Sequence, residues 1–252
     1  MPRTRSVKNS SASEKLIVAL DVATAREARR VFDALRGEVG MFKVGSELFT
    51  SEGPGFVREL AGAGARIFLD LKFHDIPNTV AGAARAAARL GVSLFNVHAA
   101  GGSEMMRRAA EATAAEAARL GLARPRLIAV TVLTSADAGV LEETGVAAGA
   151  VEAQVARLAR LAADAGLDGV VASPHELAAV RAAVARERFL VVTPGVRPAS
   201  AAHDDQRRVM TPAGAVSAGA DYVVVGRAVL NAPDPARAAR DIVEEMEEGS
   251  RQ

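Results

Sequence analysis

Cysteine is absent from the 252 residues of this chain. A chain without cysteine has no disulfide framework, no thiolate metal site and no cysteine nucleophile. This composition is compatible with a reducing compartment, and we expect a cytoplasmic protein. No apolar run approaches the roughly 20 residues that a membrane-spanning helix requires, so we expect no membrane partner.

A strong excess of either charge is also absent, because the formal net charge is only +1. This balance gives no general case for binding nucleic acid. The head of the chain, residues 1–14, is polar and lacks the apolar core of a signal peptide, and we interpret it as a disordered extension.

Lysine is scarce, since nearly every basic residue is arginine. The chain has lysine only at positions 8, 15, 43 and 72. Two of these positions lie in or beside the polar head. Lys43 and Lys72 instead interrupt apolar stretches, which marks both as candidates for a chemical role.

Eight short apolar runs alternate with longer segments of helical spacing. Parallel strands buried on both faces are this apolar, and they form either a closed (β/α)₈ barrel or an open doubly wound sheet. The count of eight favours the α/β TIM barrel, as a single domain over residues 15–246 followed by a tail at 247–252. The predicted strands are 15–21, 40–45, 65–72, 91–99, 126–133, 168–173, 188–195 and 220–227.

Polar residues follow most of these runs, and active sites of such barrels gather at the carboxyl ends of the strands. In the third run, period-two alternation places Asp70 and Lys72 on one face and Leu69, Leu71 and Phe73 on the other. We expect the large apolar set to pack on helices, so that Asp70 and Lys72 point into the barrel mouth. The alternative is a buried structural salt bridge, which seldom repays its desolvation.

Two further charged residues allow two interpretations each. Lys43 either faces the barrel interior or extends from the edge of its strand to water. Asp75 follows the third strand just before Pro77, as a functional carboxylate, a loop acid or a cap of the next helix.

The last two strands are followed by glycine–arginine pairs, in "TPGVR" and "VVGRAV". Phosphate sites in these barrels are often built from the seventh and eighth loops. Gly195 and Gly226 allow close backbone approach, and Arg197 and Arg227 supply bidentate donors. We predict a phosphate site here, the alternative being a surface loop.

The polar segment 197–212 is long for such a connection and predicts either a lid or a mobile surface loop. Gln206 within it is a candidate bridge to a bound phosphate. The four histidines show no metal-ligand spacing, so we expect no catalytic histidine and no metal site.

The motifs "FKVGSELF" (42–49), "DLKFHDIPNT" (70–79), "VTVLTS" (130–135), "TPGVR" (193–197) and "VVGRAV" (224–229) resemble the orotidine 5′-phosphate decarboxylase family. Their order and spacing hold from about residue 15 to 245. The resemblance implies a homodimeric barrel that converts orotidine 5′-phosphate to uridine 5′-phosphate and CO₂, in pyrimidine biosynthesis, without metal or cofactor.

The same resemblance implies roles for individual residues. Lys43, Asp70, Lys72 and Asp75 would form the catalytic array, with Lys72 as proton donor to C6 and Asp75 reaching into the neighbouring subunit's site. Thr79 would also contact the ribose across the dimer. The implied substrate-binding residues are Asp21, Lys43, Asp70, Leu71, Lys72, Phe73, His74, Asp75, Ile76, Pro77, Asn78, Thr79, Thr134, Ser135, Pro194, Arg197, Gln206, Gly226 and Arg227.

Two rival functions stay open at the level of sequence. Phosphosugar enzymes such as keto-gulonate phosphate decarboxylase share the pattern D-x-K-x-x-D, but they normally use Mg²⁺ and carry an acid on the second strand. Lys43 argues against them. The second rival is a nucleotide-binding barrel without catalysis, for which a charged array would be superfluous.

Overall fold

Eight parallel strands close into a barrel in chain order, each pairing with the strands before and after it. This arrangement comes from a computed structural model, which describes residues 12–146, 151–198 and 210–251. The last strand pairs with the first through Ile17 and Val224, so the ring has no open edge. The predicted α/β TIM barrel is therefore confirmed, and the open doubly wound sheet is excluded.

Each predicted apolar run corresponds to one strand, and each strand is shorter than its run. Residues are lost at both ends of the runs, and only β3 extends past the predicted carboxyl end, to Phe73. The strands are β1 (Leu16–Ala19), β2 (Met41–Gly45), β3 (Ile67–Phe73), β4 (Leu94–His98), β5 (Arg126–Val130), β6 (Gly169–Val171), β7 (Leu190–Thr193) and β8 (Tyr222–Val225).

Helices separate the strands and form the outer layer. Several begin at side-chain caps, such as Thr24, whose hydroxyl accepts from the N–H of Glu27. The helices are α1 (Ala12–Lys15), α2 (Ala25–Leu35), α3 (Ser46–Gly62), α4 (Pro77–Arg89), α5 (Gly102–Leu120), α6 (Ala138–Glu143), α7 (Val151–Asp164), α8 (Leu177–Ala183), α9 (Pro212–Ser217), α10 (Arg227–Leu230) and α11 (Pro235–Gly249).

The two ends of the barrel domain differ from the predicted boundaries of 15 and 246. Residues 12–14 belong to α1, with Ala12 buried, and are not part of a disordered head. Gly40 explains this close packing, because a Cβ there would lie 2.2 Å from the carbonyl oxygen of Glu14. At the other end α11 continues to Gly249. Residues 1–11 lie outside the described residues.

Other helices also depart from the sequence pattern, among them α3 and α6. α3 begins directly after β2, and the non-helical Gly53 and the following Pro54 divide it in two, so only its second half was visible as a helical run. α6 was not predicted, because its six residues bury no side chain and give no apolar stripe.

None of the helices within the described ranges has the length and apolar character needed to cross a bilayer.

Apolar side chains form two separate clusters, one between the barrel and its helices and a smaller one inside the barrel. The inner cluster fills the lower and middle barrel and leaves the carboxyl ends of the strands to polar groups. Its buried members are Ile17, Ala19, Met41, Phe68, Leu94, Ile128, Val192 and Val224.

Candidate active site

A cavity of about 360 Å³ opens above the inner cluster, at the carboxyl ends of the strands. Strands β1 to β3 contribute charged side chains to its wall, and β5 to β8 contribute mostly apolar side chains and loop backbone. A mixed wall of this kind suits a ligand with both an apolar and a charged part. The charged and polar lining residues are Asp21, Lys43, Asp70, Lys72, Thr134, Arg197 and Arg227.

Four side chains from three neighbouring strands form a chain of alternating charge. Lys43 Nζ lies 2.9 Å from Asp21 Oδ1 and 3.4 Å from Asp70 Oδ2. Lys72 Nζ lies 2.8 Å from Asp70 Oδ1. Asp70 therefore holds both ammonium groups, one on each oxygen, as alternation along β3 predicts.

Burial and charge act in opposite directions on Asp70, whose side chain is only 13% exposed. Burial disfavours the ionised carboxylate, but the ammonium groups of Lys43 and Lys72 and the hydrogen bonds from Lys72 and Asn96 outweigh it. The pKa of Asp70 consequently lies below its usual value. Asp70 is ionised at neutral pH and keeps both lysines in place.

Glycine makes room for this array on β2. Gly45 pairs with Asp70 in the β2–β3 register, and a Cβ there would lie 3.2 Å from Lys43 Nζ. A larger residue would push against the Lys43 ammonium. Gly45 was not among the predicted site residues, since a single glycine at a strand end is common.

The backbone at Lys72 is unusual. Its φ of 51° makes it the one non-glycine residue with positive φ in the described parts of the chain. The register between β3 and β4 shifts between Leu69 and Phe73, so this distortion is a local bulge of β3. The Lys72 side chain still lines the cavity beside Asp70, and strain of this kind often accompanies a functional site.

Asn96 on β4 is one of the polar residues expected near the strand ends, but the sequence assigned it no role in the site. It is fully buried, its Nδ2 donates to Asp70 Oδ1 at 2.7 Å, and its Oδ1 accepts from the backbone N–H of Lys72 at 2.8 Å. The signal available in the sequence was an amide inside an apolar strand, two residues after the inward Leu94.

Asp75 is not part of the array within one chain. It is exposed and outside the cavity, and its carboxylate accepts from the backbone N–H of Ile76 at 2.6 Å. Ile76 is 67% exposed, which is unusual for a large apolar side chain. Pro77, Asn78 and Thr79 form the first turn of α4 and do not line the cavity either.

The remaining predicted residues of β3 also lie away from the cavity. Leu71 and Phe73 face outward and pack, partly buried, against the cluster under the helices. His74 is exposed and stacks on His98, with ring centroids 5.5 Å apart. Direct contact of these residues with a ligand stays a prediction that the geometry does not support.

The opposite wall comes from the later strands. Pro194, Arg197, Gly226 and Arg227 line the cavity, and Thr134 joins them from the loop after β5. Ser135 is exposed and does not line it. Gln206 lies outside the described residues, as does most of the predicted lid.

Arg197 stands across the barrel from Lys72, and Arg227 follows β8, the strand next to β7. In a closed ring of eight strands, β3 and β7 are separated by four positions in either direction. The loop that carries Arg197 leaves β7 and returns beside it, since the N–H of Arg197 donates to the carbonyl of Met210 at 3.1 Å. A ligand in the cavity can thus meet the lysine array at one end and the arginines at the other.

Comparison with known proteins adds a family to this geometry. Residues 14–242 match the family described as "Orotidine 5′-phosphate decarboxylase / HUMPS family". The chain is 56% identical over 237 residues to orotidine 5′-phosphate decarboxylase of Moorella thermoacetica, covering 94% of this chain and 93% of that protein. It is 57% identical over 230 residues to the protein of that name from Anaeromyxobacter dehalogenans, covering 91% and 97%.

A solved structure has the same architecture. Orotidine 5′-phosphate decarboxylase from Lactobacillus acidophilus superposes with a TM-score of 0.81 at 38% identity, over 92% of this chain and 98% of that one. An uncharacterised conserved protein from Geobacillus kaustophilus gives 0.80 at 41% identity, over 92% and 99%. The likeness therefore covers the barrel and its site together.

Proposed function

The chain belongs to the orotidine 5′-phosphate decarboxylase / HUMPS family, and we propose that it converts orotidine 5′-phosphate to uridine 5′-phosphate and CO₂. The reaction completes the de novo synthesis of uridine 5′-phosphate. The observation that carries the proposal is the pairing of Lys72 with the buried Asp70 in the wall of the cavity.

The decarboxylation requires an ammonium group close to C6 of the pyrimidine. Breaking the bond between C6 and the carboxylate releases CO₂ and leaves the electron pair on C6. The Lys72 ammonium stabilises this carbanion and then transfers a proton to C6, so that Lys72 becomes a neutral amine. Arginine cannot do this, because a guanidinium is effectively always protonated.

Asp70 and Lys43 serve this step indirectly. Asp70 holds the Lys72 ammonium in place before the reaction, and Lys43 holds the other oxygen of Asp70. Lys43 and Asp21 remain accessible from the cavity and suit the ribose hydroxyls as donor and acceptor. Thr134 lines the cavity from the loop after β5 and is proposed to contact the pyrimidine base.

Phosphate binding belongs to the arginine side of the cavity. Arg197 and Arg227 offer bidentate donors there, beside the loop backbone at Gly195 and Gly226. Gln206 is proposed to join them. Binding energy at this remote group is available to stabilise the transition state at C6.

A homodimer is part of the proposal, with Asp75 and Thr79 completing the partner's site. The exposure of Asp75 and Ile76 supports it, because neither contacts its own chain's cavity. An apolar groove of about 380 Å³ between α3 and α4 provides surface for a partner; it includes Phe49 and Phe73. We place the enzyme in the cytoplasm.

The phosphosugar enzymes of the same family are the main rivals. Their reactions require Mg²⁺, which prefers carboxylate and water oxygens. Here Lys43 Nζ lies 3.4 Å from Asp70 Oδ2, so an ammonium occupies the position that an acid would need to fill. The Lys43–Asp70 contact therefore favours the decarboxylation of a nucleotide.

Loss of orotate absorbance tests the function directly. We expect EDTA-treated protein to turn over orotidine 5′-phosphate with undiminished rate. Faster turnover of a phosphosugar with added Mg²⁺ would identify one of the rivals instead. Tight binding of the nucleotide without turnover would indicate the non-catalytic barrel.

A further inference from the structure

The side chain of Asn96 connects the backbone of Lys72 with the carboxylate of Asp70. Its carbonyl oxygen accepts from the Lys72 N–H, and its NH₂ group donates to Asp70 Oδ1, the oxygen that also holds Lys72 Nζ. The orientation of the amide follows from chemistry, because a backbone N–H can only donate and an ionised carboxylate can only accept. One amide thus fixes both ends of the Lys72–Asp70 pair.

The position of this bridge coincides with the distortion of β3. Lys72 has the left-handed φ of 51°, and the β3–β4 register shifts around it. Asn96 lies on β4, fully buried, and points toward this bulge. Its Oδ1 bond therefore supports the Lys72 backbone at the point where regular strand pairing is interrupted.

We propose that Asn96 is a positioning residue for the reaction, which holds the bulge at Lys72 and aligns Asp70 so that the ammonium faces the reacting carbon. The proposal rests on the proposed decarboxylation. Asn96 itself does not line the cavity. Its effect passes through the aim of Lys72 and the hydrogen bonding of Asp70.

Replacing the amide by an apolar side chain of similar size removes both bonds. For Asn96→Leu we expect kcat to fall about 100-fold, because a small displacement of a reacting group costs that much. KM should change little, since the proposed ribose and phosphate contacts do not involve Asn96. The matched control is Leu158→Ala on α7, a buried residue remote from the site, which should lose stability and keep kcat.

Replacing the amide by a carboxyl gives a sharper test. Asn96→Asp keeps an acceptor for the Lys72 N–H but places a second carboxylate beside Asp70. Two carboxylates that share a site bind a proton more tightly than one. Once protonated, the new carboxyl group donates to Asp70 as the amide did, so kcat of this variant should recover as the pH falls.

Other titratable or charged groups lie near Asn96 and Asp70, and they are the same in the wild type and in Asn96→Asp. The pH profile of wild-type kcat therefore serves as the reference against which the recovery of the variant is measured. Burial, with smaller effects of His74 and Lys72, lowers the pKa of His98 below its usual value of 6.5. The His98 ring is therefore neutral at neutral and alkaline pH. These neighbouring groups are Asp21, Lys43, Lys72, His74 and His98.

Hydrogen exchange at the Lys72 amide, measured by NMR on the wild-type protein, gives a readout that needs neither activity nor a variant. Strong protection is expected, and protection should survive in Asn96→Asp. Rapid exchange in the wild type would overturn the proposal. So would a kcat of Asn96→Leu close to that of Leu158→Ala, or a pH profile of Asn96→Asp parallel to the wild type.

A wild-type protein without decarboxylase activity would refute the proposed function. The hydrogen-exchange measurement would still report on the hydrogen bond between Asn96 and the Lys72 backbone.

Discussion

Lys72 Nζ lies 2.8 Å from Asp70 Oδ1, although the two residues belong to the same strand and are only two positions apart. Side chains at this spacing point to the same face, so the strand itself brings the charges together. The pair is asymmetric in exposure, because the side chain of Asp70 is 13% exposed and that of Lys72 is 37% exposed. The carboxylate is the buried support and the ammonium is the accessible group.

Removing the ammonium should abolish catalysis without unfolding the barrel. For Lys72→Ala we expect a loss of at least about 10⁴-fold in kcat, at the upper end of what general acid catalysis contributes. Lys72→Arg should be comparably inactive, since a guanidinium does not release its proton. Circular dichroism checks the fold, and full activity in either variant would remove Lys72 from its role.

The phosphate assignment predicts a selective defect. Arg227→Ala should lower kcat/KM for orotidine 5′-phosphate by about 10- to 100-fold, the value of a hydrogen bond to a charged group. Turnover of the nucleoside orotidine should change far less. The exposed Arg160 on α7 provides the control Arg160→Ala, and equal losses on both substrates would contradict the assignment.

The proposal that Asp75 completes the active site of the partner subunit can be tested by mixing two inactive variants. Lys72→Ala and Asp75→Asn should each lack activity alone. A mixed dimer has one site with an intact Lys72 and an intact Asp75 from the other chain, so random exchange should restore about one quarter of the sites. No recovery after verified subunit exchange would place Asp75 in its own chain's site.

Acid stability should depend on Glu116, which joins α4 and α5. Hydrogen bonds from Arg119 and Arg89 lower the pKa of Glu116 from 4.5 to about 2, against the effect of burial. A carboxyl with a lowered pKa in the folded state stabilises the fold above its unfolded pKa and loses this contribution as the pH falls toward the folded value. The wild type should therefore melt above Glu116→Gln at neutral pH, with the difference shrinking between pH 4.5 and about 2.

The control for this measurement is Glu111→Gln on the same helix. Glu111 pairs with Arg107, but its side chain is 57% exposed, and exposed pairs contribute little to stability. A difference in melting temperature between wild type and Glu116→Gln that is independent of pH would contradict the coupling.

Much of the fold follows from local pattern. Parallel strands buried on both faces show as continuous apolar runs, so all eight strands were visible in the sequence. The boundaries at Ala12 and Gly249 were not, because they depend on how α1 and α11 pack. α6 is only six residues long and has no fully buried side chain, so it gives no helical apolar pattern.

The site was partly readable for the same reason. Alternation along β3 aimed Asp70 and Lys72 inward, and the structure has them there. The same alternation turns Leu71 and Phe73 outward, which conflicts with their inclusion as ligand contacts by motif alone. The role of Asn96 depends on the register shift between β3 and β4, a tertiary feature that no single segment encodes.

The left-handed backbone at position 72 sets stability and activity against each other. Glycine adopts this conformation without the steric penalty of about 1 kcal/mol or more that other residues meet. Of two variants that both lack the ammonium, Lys72→Gly should melt above Lys72→Ala. Selection for heat resistance alone would favour glycine at this position, whereas selection for turnover would retain lysine. In a barrel with the same backbone, the residue at this position therefore shows which of the two selection pressures has acted.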